Sequence, residues 1–344
     1  MNQRLETAIA TATRASHLAR GVRSAWIGEG PPEQQAPKKG APEKRALDKQ
    51  DRSPVTIADF AVQSLVSLDL ERHLPGDVIL GEESAGALRQ EDHREVRDGV
   101  VSAVQEFHPE AGMEEVLRAI DRCSADAGDQ GAFWALDPID GTKGFLRGGQ
   151  YAVALALIEN GEVQLGVLGC PYLPLDPAEP NGRRGCVLAA QRGGGTRLYD
   201  LDGNLRGEVS VSSQEDPAGA VFCESVEAAH SAHDLHARIA GRLGVTAPPV
   251  RMDSQCKYAA LARGEGSIYL RLPRKAGYEE KIWDHAAGAM VIEEAGGRVT
   301  DAHGRDLDFG AGKTLRHNIG IVASNGRFHQ QIIEAVAAEA DLPK

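Results

Sequence analysis

The chain predicts a mixed α/β fold in two lobes, and three observations carry that prediction. Apolar runs joined by tight-turn residues fill the middle of the sequence, as expected for antiparallel strands. After Asp202-Gly203 the pattern changes to shorter strands alternating with helical stretches. The length, 344 residues, is more than one core of about 150 residues requires. The boundary falls near residue 207, giving lobes 1–207 and 208–344.

Taken in order, residues 7–23 are alanine-rich and predict a first helix. Residues 28–43 hold four prolines and three glycines, a composition that predicts a mobile loop. Thr56 opens a second helix, with Asp59 placed for capping and Ala58, Ala61, Val62, Leu65 and Leu68 on one face. Residues 78–80 form a short strand ending at Gly81-Glu82-Glu83. A polar stretch from about 91 to 127 reads as a helical insertion. The strand around Trp134 to Leu136 is stopped by Asp137, Pro138 and Asp140. Runs 151–158 and 162–168 pair across Asn160-Gly161, a strong hairpin signal, and 186–190 pairs with 196–199 across Arg192-Gly193-Gly194-Gly195. In the second lobe, strands are expected at 220–223, 268–272 and 319–323, and helices at 233–243, 284–295 and 328–339.

Bulk properties narrow the function. The net charge of −12 argues against a nucleic-acid polymer or an anionic membrane as partner. An anionic small molecule would need a local cluster of cations. No stretch approaches the roughly 20 apolar residues that span a bilayer, and residues 1–23 lack a signal-type apolar block. Five scattered cysteines without a CxxC pair predict reduced thiols in a soluble, cytoplasmic protein. Oligomeric state is not legible.

The chemistry is concentrated at Asp137-Pro138-Ile139-Asp140-Gly141-Thr142. Two carboxylates three residues apart at a strand end can converge on one cation. Gly141 lets the backbone approach a ligand, and Thr142 places a hydroxyl at the start of a helix, where backbone N–H groups suit a phosphate. By itself Asp-x-x-Asp beside a turn is as readily a solvated loop. Glu82 at a strand end and Asp284, beside Trp283 in the first turn of a helix, shift the balance, although Asp284 alone could be a terminus charge worth about 0.3–1 kcal/mol. Unit charges about 4 Å apart repel by roughly 4 kcal/mol at an effective dielectric near 20, so four converging carboxylates require cations. Oxygen-only ligands favour Mg²⁺ or Mn²⁺ over zinc.

These motifs, with Gly81-Glu82-Glu83-Ser84 and Trp283-Asp284-x-Ala286-Ala287-Gly288, resemble the Mg²⁺-dependent, lithium-sensitive inositol monophosphatase-like superfamily. Ser53-Pro54-Val55-Thr56-x-Ala58-Asp59, Asp140-Gly141-Thr142-Lys143-Gly144-Phe145, Asp253-Ser254-Gln255-x-Lys257-Tyr258 and Tyr269-Leu270-Arg271-Leu272-Pro273 resemble its 3′(2′),5′-bisphosphate nucleotidase branch. The resemblance implies a layered αβαβα sandwich, an arrangement in agreement with the two lobes. It also implies two or three Mg²⁺ ions, with Mn²⁺ as an alternative, held by Glu82, Asp137, Asp140, Asp284 and the carbonyl of Ile139. It assigns Asp51 and Thr142 to the attacking water, and Thr142, His230, Ser254, Lys257, Arg271 and Asp284 to a nucleotide bisphosphate.

Read without the resemblance, several of these residues are ambiguous. Asp51 sits among Lys49, Gln50 and Arg52 and reads as solvated loop. Residue chemistry does not choose between Glu82 and Glu83; the motif favours Glu82. Asp59 reads as a helix-start charge rather than a ligand. His230, His233 and His236 are spaced three apart, but they read as solvated helix-start histidines rather than a zinc site, with His230 alone near substrate. Arg271 interrupts an apolar strand and so calls for an anionic partner. Lys143 is no P-loop lysine, since GxxxxGK[ST] is missing. The expected activity is hydrolysis of the 3′-phosphate of adenosine 3′,5′-bisphosphate, with its phosphosulfate analogue as a second substrate. An inositol phosphate phosphatase is the alternative, and a catalytically silent nucleotide sensor a distant third.

Overall fold

The fifth strand of the fold explains its layering. In the computed structural model, which describes residues 3–27, 46–48, 54–124, 131–226, 233–273 and 277–342, that strand is buried along both faces. Val153, Leu155 and Leu157 enter one apolar cluster, while Ala152, Ala154 and Ala156 enter another. A strand covered on both sides reads as a continuous apolar run, because its alternate residues serve two cores.

The elements that build these cores follow in chain order. The first part contains α1 (Gln3–Ile27), β1 (Ala46–Asp48), β2 (Pro54–Thr56), α2 (Ile57–His73), β3 (Val78–Gly81), α3 (Arg94–Gln105) and α4 (Met113–Asp121). Then come β4 (Ala132–Asp140), α5 (Thr142–Arg147), β5 (Ala152–Glu159), β6 (Glu162–Pro174), β7 (Arg184–Gln191), β8 (Thr196–Asp200) and β9 (Leu205–Val209). The remainder is β10 (Phe222–Glu224), α6 (His233–Arg242), β11 (Val250–Arg251), α7 (Cys256–Ala262), β12 (Ile268–Arg271), α8 (Ala286–Glu294), β13 (Arg298–Thr300), β14 (Ile321–Ser324) and α9 (His329–Glu339).

Among the described residues, strands β3 to β9 form a seven-stranded sheet in chain order, parallel only between β3 and β4. A second sheet runs β11-β10-β12-β14-β13. Helices α1 to α4 cover the outer face of the first sheet. Helices α7 and α8 lie between the sheets, and α6 and α9 close the far side. The result is the αβαβα sandwich that the resemblance implied. Helix α8 seats closely on the first sheet: a Cβ on Gly166 would come within 2.7 Å of the Ala287 carbonyl oxygen.

The Asn160-Gly161 hairpin is present. Glu159 pairs with Glu162, and both turn residues take positive φ, 52° and 79°, as a two-residue turn of this twist requires. The helical insertion contains α3 and α4. Other expectations need correction. The β4 strand is not stopped at Asp137 but continues to Asp140, with a register shift between them. Pro138, which has no N–H to donate, sits inside that irregularity. Thr56 ends β2, and α2 begins at Ile57. Asp284 lies in a 3₁₀ turn, Ile282–Asp284, ahead of α8. The expectations for residues 28–43 fall outside the described residues.

Candidate active site

Two strand ends and one turn bring the four carboxylates together. Parallel pairing of β3 with β4 sets Gly81 opposite Leu136, so Glu82, just past the end of β3, comes beside Asp137 of β4. Asp140 follows after the β4 bulge, and Asp284 approaches from the middle helical layer. All four line one cavity of about 410 Å³, together with Ile139, Thr142, Ser254, Lys257 and Arg271. The sequence-predicted site residues are therefore assembled in one place, except Asp51 and His230, which lie outside the described residues.

The electrostatics are those of a site that wants positive charge. Asp137 is buried, and its Oδ1 accepts no hydrogen bond from the described residues. Burial, then the charges of Asp140, Glu82, Asp284 and Asp59, hold its carboxyl well above the usual carboxylate range. Burial likewise raises Asp140, opposed by Lys257, Arg271 and the Gln255 backbone N–H. Burial pushes Asp284 up to about 6 against the opposing charges of Arg271 and His285. A buried carboxylate oxygen without a partner costs free energy. An oxygen-only donor set of this kind fits a hard divalent cation, and no Cys or His of the described residues lines this cavity.

The cations at the cavity wall are also committed. Lys257 lies in α7, buried on all sides, and donates to the carbonyls of Ser254 at 2.8 Å and Met252 at 3.4 Å. Burial lowers its pKa, with Asp140 and Asp253 opposing. Neither Lys257 nor Arg271 is a surface cation. Arg271 donates from Nε to Glu280 at 3.0 Å and from Nη2 to Asp284 at 3.2 Å, so the anionic partner called for by a charge in an apolar strand is a pair of carboxylates. Glu280, Asp284 and His285 also place ligand atoms within 4.8 Å of one another. Arg271 offsets one of the two negative charges in that trio, and Tyr258 Oη contacts the far nitrogen of His285 at 2.7 Å.

Supporting residues were not assigned roles from the sequence. Gln63, buried in α2, accepts from the Glu83 N–H at 2.9 Å and donates to the Glu83 carbonyl at 2.7 Å. It thereby fixes the backbone beside Glu82. The backbone N–H of Gln255 donates to Asp140, while its side chain donates to the Trp283 carbonyl at 3.0 Å and accepts from Gly288 N–H at 3.1 Å. One residue thus ties Asp140 to the turn bearing Asp284. Ser254, just before it, is held at φ 68°, an uncommon conformation for a residue other than glycine. Gly144 admits the loop: a Cβ there would sit 2.3 Å from the Gln150 carbonyl oxygen and 2.9 Å from the Asp253 Cβ. A glutamine inside an apolar helical run was the only advance sign of Gln63.

Two further readings change. Asp59 does sit in the first turn of α2, but it is buried, and its charge acts on Asp137. His236 is buried, with Nδ1 3.5 Å from Glu224, rather than solvated. The cysteines are all free and buried. No helix among the described residues is long and apolar enough to cross a membrane.

The chain is similar to known proteins in sequence and in fold. The model of the inositol monophosphatase family matches residues 1–340. A Schizosaccharomyces pombe protein named 3′(2′),5′-bisphosphate nucleotidase is 44% identical over 97% of this chain and 94% of its own. A rice protein of the same name is 46% identical over 88% of each chain. In fold, the chain is similar to an IMPase of Thermotoga maritima, with TM-score 0.63 and 21% identity over 98% of each chain. It is also similar to an inositol monophosphatase from Anabaena, with TM-score 0.58 and 20% identity over 98% of this chain and 96% of that one.

Proposed function

Because the chain belongs to the inositol monophosphatase family, we propose that it is a Mg²⁺-dependent phosphatase that removes the 3′-phosphate of adenosine 3′,5′-bisphosphate. The observation that carries this reading is the buried Asp137 oxygen without a hydrogen-bond partner among the described residues, in a cavity also lined by Glu82, Asp140 and Asp284 and by the cations Lys143, Lys257 and Arg271. The relatives at 44% and 46% identity carry nucleotidase names, which favours this substrate over an inositol phosphate.

Glu82, Asp137, Asp140, Asp284 and the Ile139 carbonyl would hold two or three Mg²⁺ ions, with Mn²⁺ as a substitute. When bound, the metal supplies charge to the phosphoryl oxygens and acidifies a water. The Thr142 hydroxyl donates to the Ile139 carbonyl at 3.2 Å. Its own hydrogen is therefore engaged, and its oxygen keeps lone pairs to orient that water. Asp51 is the base that the family resemblance assigns. Lys257, Arg271, Ser254 and His230 hold the second phosphate and the nucleoside, because the carboxylate cluster can serve only the phosphate being cleaved. A reducing, cytoplasmic setting suits the five free thiols.

The test is kcat/KM with Mg²⁺ for adenosine 3′,5′-bisphosphate, inositol 1-phosphate and inositol 1,4-bisphosphate. The nucleotide should be preferred, and millimolar lithium should inhibit. An inositol phosphate turned over equally well would move the protein to the alternative substrate class, and no turnover of any of the three would make it a sensor.

A further inference from the structure

Arg271 is the only described cation within hydrogen-bonding reach of Asp284, and it is shared. Glu280 meets it with both oxygens, a hydrogen bond from Nε to Oε1 at 3.0 Å and an ion-pair contact of Nη2 with Oε2 at 2.8 Å, while the same Nη2 donates longer bonds to Asp284 at 3.2 Å and to Tyr278 Oη at 3.4 Å. With two shorter contacts against one longer one, Glu280 takes the larger share.

Glu280 is itself fixed from behind. A carboxylate can only accept, so His285 Nε2–H donates to Glu280 Oε2 at 3.2 Å, and Tyr258 Oη shares a hydrogen bond with His285 Nδ1 at 2.7 Å. Tyr258 is pinned in turn against α8, where a Cβ on Gly288 would lie 2.4 Å from the ring. The Glu280 carbonyl accepts from Leu315 N–H at 2.8 Å. Tyr258, His285 and Glu280 are each no more than 5% exposed. These contacts fix the Glu280 carboxylate, and with it the side of the guanidinium turned away from Asp284.

We propose that Glu280 is a positioning residue which, by holding Arg271 back from Asp284, keeps that carboxylate available to a divalent cation. The inference rests on the metal reading above. Freed from Glu280, Arg271 would give Asp284 a full ion pair, and a cation would have to compete with it.

The experiment is Mn²⁺ binding to the full chain without nucleotide, followed by the electron paramagnetic resonance of free Mn²⁺. Glu280→Gln should raise the dissociation constant about ten-fold. Arg271→Met should lower it, and the double variant should match Arg271→Met, because Glu280 acts only through Arg271. Glu280→Asp keeps the charge but withdraws the carboxylate by one methylene; it should also weaken binding, and it serves if the Gln variant does not fold. A Glu280→Gln effect of equal size with and without Arg271, or no effect in either, overturns the proposal. Wild type that fails to bind Mn²⁺, or binds it undiminished in Asp140→Asn, overturns the metal reading and this inference with it.

Discussion

Gln255 is where fold and function share one side chain, and replacing it by alanine would test that connection. Its amide donates to the Trp283 carbonyl and accepts from Gly288 N–H, one of the first N–H groups of α8, which have no partner within the helix. His285, at the N-cap position, makes no side-chain capping bond, so Gln255 caps α8 from another element. Truncation leaves a buried carbonyl and a buried N–H unpaired. At roughly 1–3 kcal/mol each, the loss should be about 2–6 kcal/mol of unfolding free energy by denaturant titration. Gln255→Met fills the space without restoring either bond and should lose a comparable amount. Since the backbone N–H of Gln255 still reaches Asp140, the loosened partner is the Asp284 turn, and kcat/KM should fall about ten- to a hundred-fold, at 1.4 kcal/mol per decade. Both variants within about 0.5 kcal/mol of wild type would refute the capping role. A large loss for alanine with none for methionine would assign the effect to a cavity. Lost stability with unchanged kcat/KM would separate the tie from catalysis.

Asp140→Asn should abolish turnover under saturating Mg²⁺ while the circular dichroism spectrum stays native, because a charge and not a packing group is removed; near wild-type turnover would remove Asp140 from the metal site. Lys257→Met, close in shape, should cost about ten- to a hundred-fold in kcat/KM for adenosine 3′,5′-bisphosphate, from a charge-assisted contact of roughly 1.5–3 kcal/mol, and much less for adenosine 3′-monophosphate; equal losses would deny it the 5′-phosphate. Burial, aided by Arg298, lowers the His329 pKa from 6.5 to about 4. The unfolded chain therefore binds the proton first, so the contribution is intact above about pH 6.5 and lost as pH falls toward 4. Its size is at most about 3 kcal/mol, reduced by partial exposure, and unfolding titrations of His329→Gln should show a flatter profile across that window than wild type.

The sequence by itself determined the local geometry and the chemical theme. Asn160-Gly161 makes a hairpin because two consecutive positive φ angles suit those residues, and no distant contact is needed to specify it. The apolar run of β5 announced a strand, and Asp137, Asp140 and Thr142 announced their chemistry by residue type and spacing. Where such signals are local, the reading was close. It failed where burial on every side erased periodicity. Helix α7 is buried throughout, so nothing in its pattern set it apart, and β9, β11 and β13 are short strands without a clear alternation. Only the tertiary structure decided which polar residues matter around the carboxylates. Asp59 read as a helix-terminus charge, Asp284 could be one when taken alone, and Gln255 and Glu280 were given no role. Each owes its function to groups that arrive from other layers. A carboxylate's ionisation or an amide's hydrogen bond is set by what packs against it and by how little water remains, and those conditions exist only once the two sheets have closed on α7 and α8.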